Sequence, residues 1–277
     1  MGILFSVFRD VFSLGNASVL RLIERASHVS MLLDSFSSDI FDSLVALFIH
    51  LSQHILTSTA AQETARLVQE LQTIAHQAGH PVPLLIAVDQ ENGGVNSLFD
   101  EDYICQFPSA MGVAATGSLE LAYEVANATA KEVSAVGVNM IMGPVLDVLT
   151  NARYQPLGVR ATGDDPQEVS QYGIAAMNGY KDAGLVTCGK HFPSYGNLDF
   201  LGSSLDMPII TETIEQLSLS ALVPFRNAIR DGLDAMMVGG CAMANASTYD
   251  SPTFVSNFDD VSRYERYARV SQRSSRG

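Results

Sequence analysis

The stretch Thr187-Cys188-Gly189-Lys190-His191-Phe192-Pro193 decides how this chain is read. A short β-type run ends in adjacent Lys and His, and Pro then turns the backbone away. Three other apolar runs finish similarly. Pro83-Leu84-Leu85-Ile86-Ala87-Val88 leads into Asp89-Gln90-Glu91, and Val138-Asn139-Met140-Ile141-Met142 into Gly143-Pro144-Val145-Leu146-Asp147. Ala235-Met236-Met237-Val238 leads into Gly239-Gly240-Cys241. Polar groups gathered at the C-terminal ends of parallel strands form the active site of α/β barrels, so the pattern predicts a TIM-type (β/α) barrel with a chemical rim.

Between these runs the sequence switches to helical periodicity, as repeated βα units require. Residues 61–78 read as an amphipathic helix with Leu67, Leu71 and Ile74 on its apolar face, stopped by Gly79. Residues 119–136 form a second helix capped by Ser118 and ended by Gly137, and residues 166–183 a third, capped by Asp164 or Asp165 and followed by Gly184. A fourth spans 214–229 and stops near Gly232. The strand centres recur at roughly 50 residues, so eight units would need about 400. With a first strand expected at 54–57, about five of the eight units are visible and the barrel reads as incomplete. Residues 1–50 form an atypical N-terminal segment, 51–260 the partial barrel, and 261–277 a basic, disordered tail in which Arg263, Arg266, Arg269, Arg273 and Arg276 stand among serines.

The 277 residues are 47% hydrophobic and 17% charged, which is enough to bury a large core. A formal charge of −14 argues against nucleic acid as a partner, because phosphate backbones need a basic surface. No run is long enough to span a bilayer, and the start of the chain lacks the basic segment of a secretory signal, so no membrane association and a cytoplasmic location are expected. Gly2 and Ser6 match a myristoylation pattern, and Asn16, Asn127 and Asn245 begin glycosylation sequons; both are read as chance matches. Cys105, Cys188 and Cys241 lack metal spacing and read as buried free thiols.

At the rim, Asp89 and Glu91 precede the Gly93-Gly94 turn, where carboxylates suit hydroxyl ligands or act as caps. Arg160 binds substrate oxygens or pairs with Asp164 and Asp165. A Lys at the end of a buried strand must find a partner or a ligand, and Lys190 and His191 together suit a polyhydroxylated molecule. No dinucleotide fingerprint, P-loop or paired-His metal spacing is present, so neither a cofactor nor a metal is expected. A competing reading makes Lys190 a Schiff-base amine.

The ordered motifs Leu85-Ile86-Ala87-Val88-Asp89-Gln90-Glu91, Gly143-Pro144-Val145-Leu146-Asp147-Val148, Gly158-Val159-Arg160 and Gly189-Lys190-His191-Phe192-Pro193 resemble the N-terminal barrel domain of glycoside hydrolase family 3. The likeness covers about residues 60–246 and is nearest to the β-N-acetylhexosaminidase-like branch. It implies a small carbohydrate substrate, with Asp89, Arg160, Lys190 and His191 on the hydroxyls of the terminal sugar and Asp147 also among the substrate-binding residues. It also implies retaining hydrolysis by a carboxylate nucleophile and a separate acid/base.

The departures from the family pattern are specific. That branch carries Asp-Ser-His after the Lys-His strand, whereas Asp199-Phe200-Leu201-Gly202-Ser203-Ser204-Leu205-Asp206 has no His, leaving Asp199 or Asp206 as weak acid/base candidates. Asn96-Ser97-Leu98 stands where an Arg is usual. The nucleophile ends the strand after the one matched by residues 235–238; Phe258-Asp259-Asp260 resembles its approach, but no strand follows Val261. The expectation is a truncated and inactive family member, or a carbohydrate-binding protein without turnover.

Overall fold

A computed structural model describes residues 49–51, 61–79, 82–99, 102–151, 157–195, 209–210, 212–239 and 242–243. The expected strand at 54–57, Asp199, Asp206, Cys241 and the 261–277 tail lie outside the described residues. In chain order the elements are β1 (Ile49–Leu51), α1 (Ala61–Gln77), β2 (Ile86–Val88), β3 (Gln90–Asn92), β4 (Val95–Asn96), α2 (Ala110–Ala114), α3 (Leu119–Ala135) and β5 (Met140–Ile141). A 3-10 turn (Gly158–Arg160) precedes α4 (Pro166–Asp182), β6 (Val186–Phe192), β7 (Ile209–Ile210), α5 (Ile214–Leu219), α6 (Val223–Arg230), β8 (Ala235–Val238) and β9 (Ala242–Met243). Among the described residues no helix is long and apolar enough to cross a membrane.

The main sheet has five strands in the order β1-β2-β5-β6-β8, every pair parallel. Spatial order follows chain order with no reversal, which is how consecutive staves of a (β/α) barrel are laid down. Among the described residues the arc is not closed. Its first strand sits at Ile49–Leu51, with Ile49 opposite Ile86 and Leu51 opposite Val88, earlier than the sequence reading placed it. The apolar run ending at Leu51 had offered no alternation to mark it.

Side chains alternate across the sheet with the two-residue period of a strand. Ile86, Val88 and Ile141 pack outward with Val68, Leu71, Ala130 and Val133 of α1 and α3. Ala87, Met140, Met142 and Cys188 face inward, joined by Leu85, Val186, Ala235 and Met237. A third cluster unites Val145, Leu146, Phe192, Met177, Leu222 and Phe225 beneath α4 and α6.

The helices stop where the sequence indicates, at Gly79, Gly137, Gly184 and Gly232, all with positive φ. Ser118 caps α3, and Asp165 rather than Asp164 caps α4, accepting from the amides of Gln167 and Glu168. Two details differ from the sequence reading. The buried stripe of α1 is Thr64, Val68, Leu71 and Ala75, so Leu67 and Ile74 flank it rather than define it. The expected helix over 214–229 is two helices, because Pro224 cannot donate to the carbonyl four residues back and its ring collides there.

Helices α3 and α4 meet through Gly179, where an added Cβ would lie 2.9 Å from both Ala126 Cβ and the backbone nitrogen of Asn127. Asn127 also donates to the Gly179 carbonyl at 3.0 Å. Gly179→Ala is therefore expected to cost ~1–3 kcal/mol despite the better helix propensity of Ala, measurable as a lower urea midpoint at unchanged slope. A neutral or stabilising result would show that the helices can separate without loss.

Candidate functional site

The inward parity of β2, set by Leu85 and Ala87, continues past the strand end to Asp89 and Glu91. On β6 the parity of Val186 and Cys188 continues to Lys190. These three charged residues thus emerge above the same apolar floor, at the C-terminal edge of the sheet. Segment 143–146 extends the pairing of β5 with β6: Cys188 N donates to Gly143 O at 2.9 Å and Leu146 N to Lys190 O at 2.6 Å. That extension brings Asp147 opposite His191. The Gly143–Pro144, Lys190–His191 and Phe192–Pro193 peptides are cis.

A hairpin of β3 and β4 supports Asp89 and Glu91 from outside. Its turn uses Asn92, Gly93 and Gly94, all with positive φ, and a Cβ on Gly93 would strike the backbone of Ser109. Ser97 N donates to Asp89 O at 2.6 Å, and the Ser97 hydroxyl accepts from Asp89 N at 3.2 Å. Gln90 exchanges side-chain bonds with the Leu98 backbone, and Asn96 donates to Gln106 at 2.6 Å. The segment Asn96-Ser97-Leu98 thus braces the carboxylate-bearing strand.

Lys190 is almost wholly buried, with 1% of its side chain exposed, and pairs with Asp89 and with Glu91, the latter at 2.5 Å. Arg160 grips Glu91 in a fork, Nε to Oε2 at 2.7 Å and Nη2 to Oε1 at 2.9 Å. Arg160 thus pairs with Glu91, a partner the sequence reading did not name, while Asp165 is spent on its cap. A lysine held between two carboxylates in a buried setting does not present the free amine that Schiff-base chemistry needs. Burial alone would push the Glu91 carboxyl up, but Arg160 and Lys190 outweigh it and hold the group below its ordinary 4.5.

Asp147 is fully buried, and its two oxygens accept three bonds: His191 Nδ1 at 2.8 Å, His191 N at 3.0 Å and Tyr195 N at 2.7 Å. Burial again opposes ionisation, and His191 with the two backbone amides overcomes it, keeping the carboxyl below its ordinary 3.8. The far nitrogen of the ring, Nε2, lies 3.1 Å from Arg160 Nη2. Guanidinium only donates, so Nε2 accepts, and the geometry fixes the neutral Nδ1–H tautomer of His191.

These contacts join Asp147, His191, Arg160, Glu91, Lys190 and Asp89 into one chain of alternating partners, with three carboxylates against two cations. All five residues singled out from the sequence, Asp89, Asp147, Arg160, Lys190 and His191, converge on it. Glu91 is the member that ties the halves together, and its signal was the strand parity it shares with Asp89. Asp234, by contrast, lies at the opposite end of the sheet, accepting from Thr187 N and Oγ1 at 3.0 and 2.8 Å and pairing with Lys181 at 2.9 Å. That end of a barrel carries stability rather than chemistry.

Beside Glu91 and Arg160 a cavity of about 70 Å³ extends toward Gly143, Pro144, Thr162 and Tyr180. Its size suits a few waters, at roughly 30 Å³ each, and not a sugar ring. Among the described residues, no group of three His, Cys, Asp or Glu is placed to hold a metal. Cys188 lies on the inner floor, where burial pushes its thiol up to about 11. Cys105 is exposed, contrary to the buried thiol expected, because its segment lies on the surface against Glu132 of α3.

A parallel barrel arc whose rim gathers paired carboxylates, cations and an oriented imidazole defines the class of (β/α) barrel domains. The glycosyl hydrolase family 3 N-terminal domain matches residues 34–253, and the chain belongs to that family. It is 39% identical over 161 residues to a β-hexosaminidase of Thiobacillus denitrificans, covering 56% of this chain and 44% of that protein. Among solved structures, a family 3 β-N-acetylglucosaminidase from Paenibacillus superposes with a TM-score of 0.65 at 35% identity, covering 74% of this chain and 39% of that one. A fungal multi-domain family 3 β-N-acetylglucosaminidase gives 0.66 at 35% identity, covering 75% and 25%. The chain thus spans about half the length or less of these relatives.

Proposed function

We propose that this chain carries the sugar-holding half of a retaining glycosidase site for β-linked N-acetylglucosamine-type sugars. The observation that carries the reading is the rim chain from Asp89 to Asp147. It offers carboxylate acceptors and cationic donors in fixed positions above an apolar floor, the complement of a ring bearing several hydroxyls. The sugar type follows from the β-hexosaminidase and β-N-acetylglucosaminidase relatives. Asp89, Arg160, Lys190 and His191 are assigned to hydroxyl contacts, with Asp147 holding His191. The reading needs no cofactor and no nucleic-acid or membrane partner, and a cytoplasmic setting remains part of the proposal, as does the division at residues 50 and 260.

Retaining hydrolysis needs two carboxyl groups ~5–5.5 Å apart, one of them free to attack carbon. Asp89 and Glu91 are committed to Lys190 and Arg160, and Asp147 is sealed beneath His191. With these three rim carboxylates engaged among the described residues, the chain is proposed to bind sugar without turning it over, which also keeps the binding-protein reading alive. Calorimetric titration with N-acetylglucosamine and with glucose tests the assignment. Asp89→Ala is expected to weaken binding by ~1.5–3 kcal/mol, as loss of charged hydrogen bonds predicts. An aryl β-N-acetylglucosaminide should give no turnover above background. Robust hydrolysis would place a free carboxylate at the site, and unchanged affinity in Asp89→Ala would make Asp89 a structural partner of Lys190.

A further inference from the structure

We propose that Tyr195 is a sugar-contact residue, the aromatic side wall of the terminal subsite; this rests on the carbohydrate reading above and adds a residue to it. Tyr195 follows β6 by three positions and is held from both ends. Its backbone N–H donates to the buried Asp147 carboxylate at 2.7 Å. Its ring stands 5.0 Å from the His191 ring at an angle of 48°. The phenol end lies over Gly239 at the close of β8: a Cβ built on Gly239 would come within 2.9 Å of both Tyr195 Cζ and Oη. Gly239 is itself fixed there, donating to Phe192 O at 2.7 Å. The ring therefore bridges the C-terminal ends of β6 and β8 beside His191, and it remains half-exposed.

Core packing alone does not account for this placement. The apolar cluster under Tyr195 is filled by Phe192 and Phe225, which meet edge to face at 5.5 Å, and Tyr195 only borders it. A partly buried amphipathic ring held at both ends has little freedom to lose on binding. The C–H face of a pyranose packs on such a surface, while its hydroxyls reach the charged chain alongside. Gly239 is then the residue that makes room for the wall.

The test uses the full chain and N-acetylglucosamine as probe, with affinity by calorimetry and a tyrosine ultraviolet difference spectrum at saturation; the chain has 9 Tyr and no Trp to mask the band. Wild type is expected to show a difference band. Tyr195→Ala should weaken binding about tenfold, within the range of an aromatic contact, and abolish the band. Tyr195→Phe should keep affinity within about threefold while also losing the band, which a merely structural ring would not do. Gly239→Ala should weaken binding in the wild-type background and add nothing in Tyr195→Ala. Sugar binding that Tyr195→Ala leaves intact, a band that persists in Tyr195→Phe, or a fully additive Gly239→Ala effect overturns this proposal alone. A wild-type chain that binds no sugar overturns the carbohydrate reading and this proposal with it. Should Tyr195→Ala fail to fold, the Phe variant and Gly239→Ala decide the matter.

Discussion

Replacing Asp147 by Ala is expected to lower the unfolding free energy by about 3–5 kcal/mol and to abolish sugar binding, because it strands several buried donors at once. The imidazole Nδ1–H and the amides of His191 and Tyr195 all lose their acceptor. His191 then loses the bond that fixes its tautomer, and Nε2 no longer reliably faces Arg160 as an acceptor. Asp147→Asn, which keeps the shape but offers a single acceptor oxygen, should lie between the two. Urea unfolding monitored by tyrosine emission checks the stability, and calorimetry the binding. A loss under about 1 kcal/mol would mean that water replaces the carboxylate, against its complete burial.

The same carboxyl gives a pH dependence whose sign is fixed. The Asp147 pKa is lower folded than its ordinary 3.8, so between the two values the unfolded chain binds more protons. Its stabilising contribution is complete above the ordinary value and is lost as pH falls through the folded one. Glu91, lowered from 4.5, acts in the same direction. Acid unfolding should therefore steepen below about pH 4, and Asp147→Asn should flatten that limb.

The second large effect is expected at Lys190. Lys190→Met preserves much of the buried volume but removes the only cation shared by Asp89 and Glu91 in their described ion pairs. The two carboxylates then lose the ammonium that both contact, while Arg160 still grips Glu91. The expected cost is about 3 kcal/mol of stability, the low end for removing one partner of a buried pair, because the Asp89 side chain is 22% exposed. Sugar affinity should fall beyond the reach of calorimetry. Adding Asp89→Asn to Lys190→Met should restore part of the stability, since it removes the stranded charge, without restoring binding. If the double variant is no more stable than Lys190→Met, the destabilisation comes from packing and the ion pair is not its source.

Much of the architecture was legible in sequence because its signals are local. Strand runs ending in Asp89, Asp147 and Lys190, glycines after four of the helices, and Ser118 as a cap each act within a few residues. The family likeness rested on the same motifs. Where the signal weakened, so did the reading: β1 lies in an apolar stretch without alternation, and the break at Pro224 was hidden by helical periodicity continuing on both sides of it.

The sequence by itself determined the barrel class, the rim and the five residues that meet there, because strand parity and parallel direction dictate which side chains reach one edge. Only the tertiary structure decided who pairs with whom. Arg160 reaches Glu91 across 69 positions of chain, and Lys190 reaches Asp89 across 101. The choice between neighbouring carboxylates depends on distances of a few ångströms set by sheet curvature and by the Ser97 and Gln90 braces. The same holds for Tyr195 over Gly239: a one-dimensional pattern can mark both residues, but only the folded sheet brings the end of β8 beneath that ring.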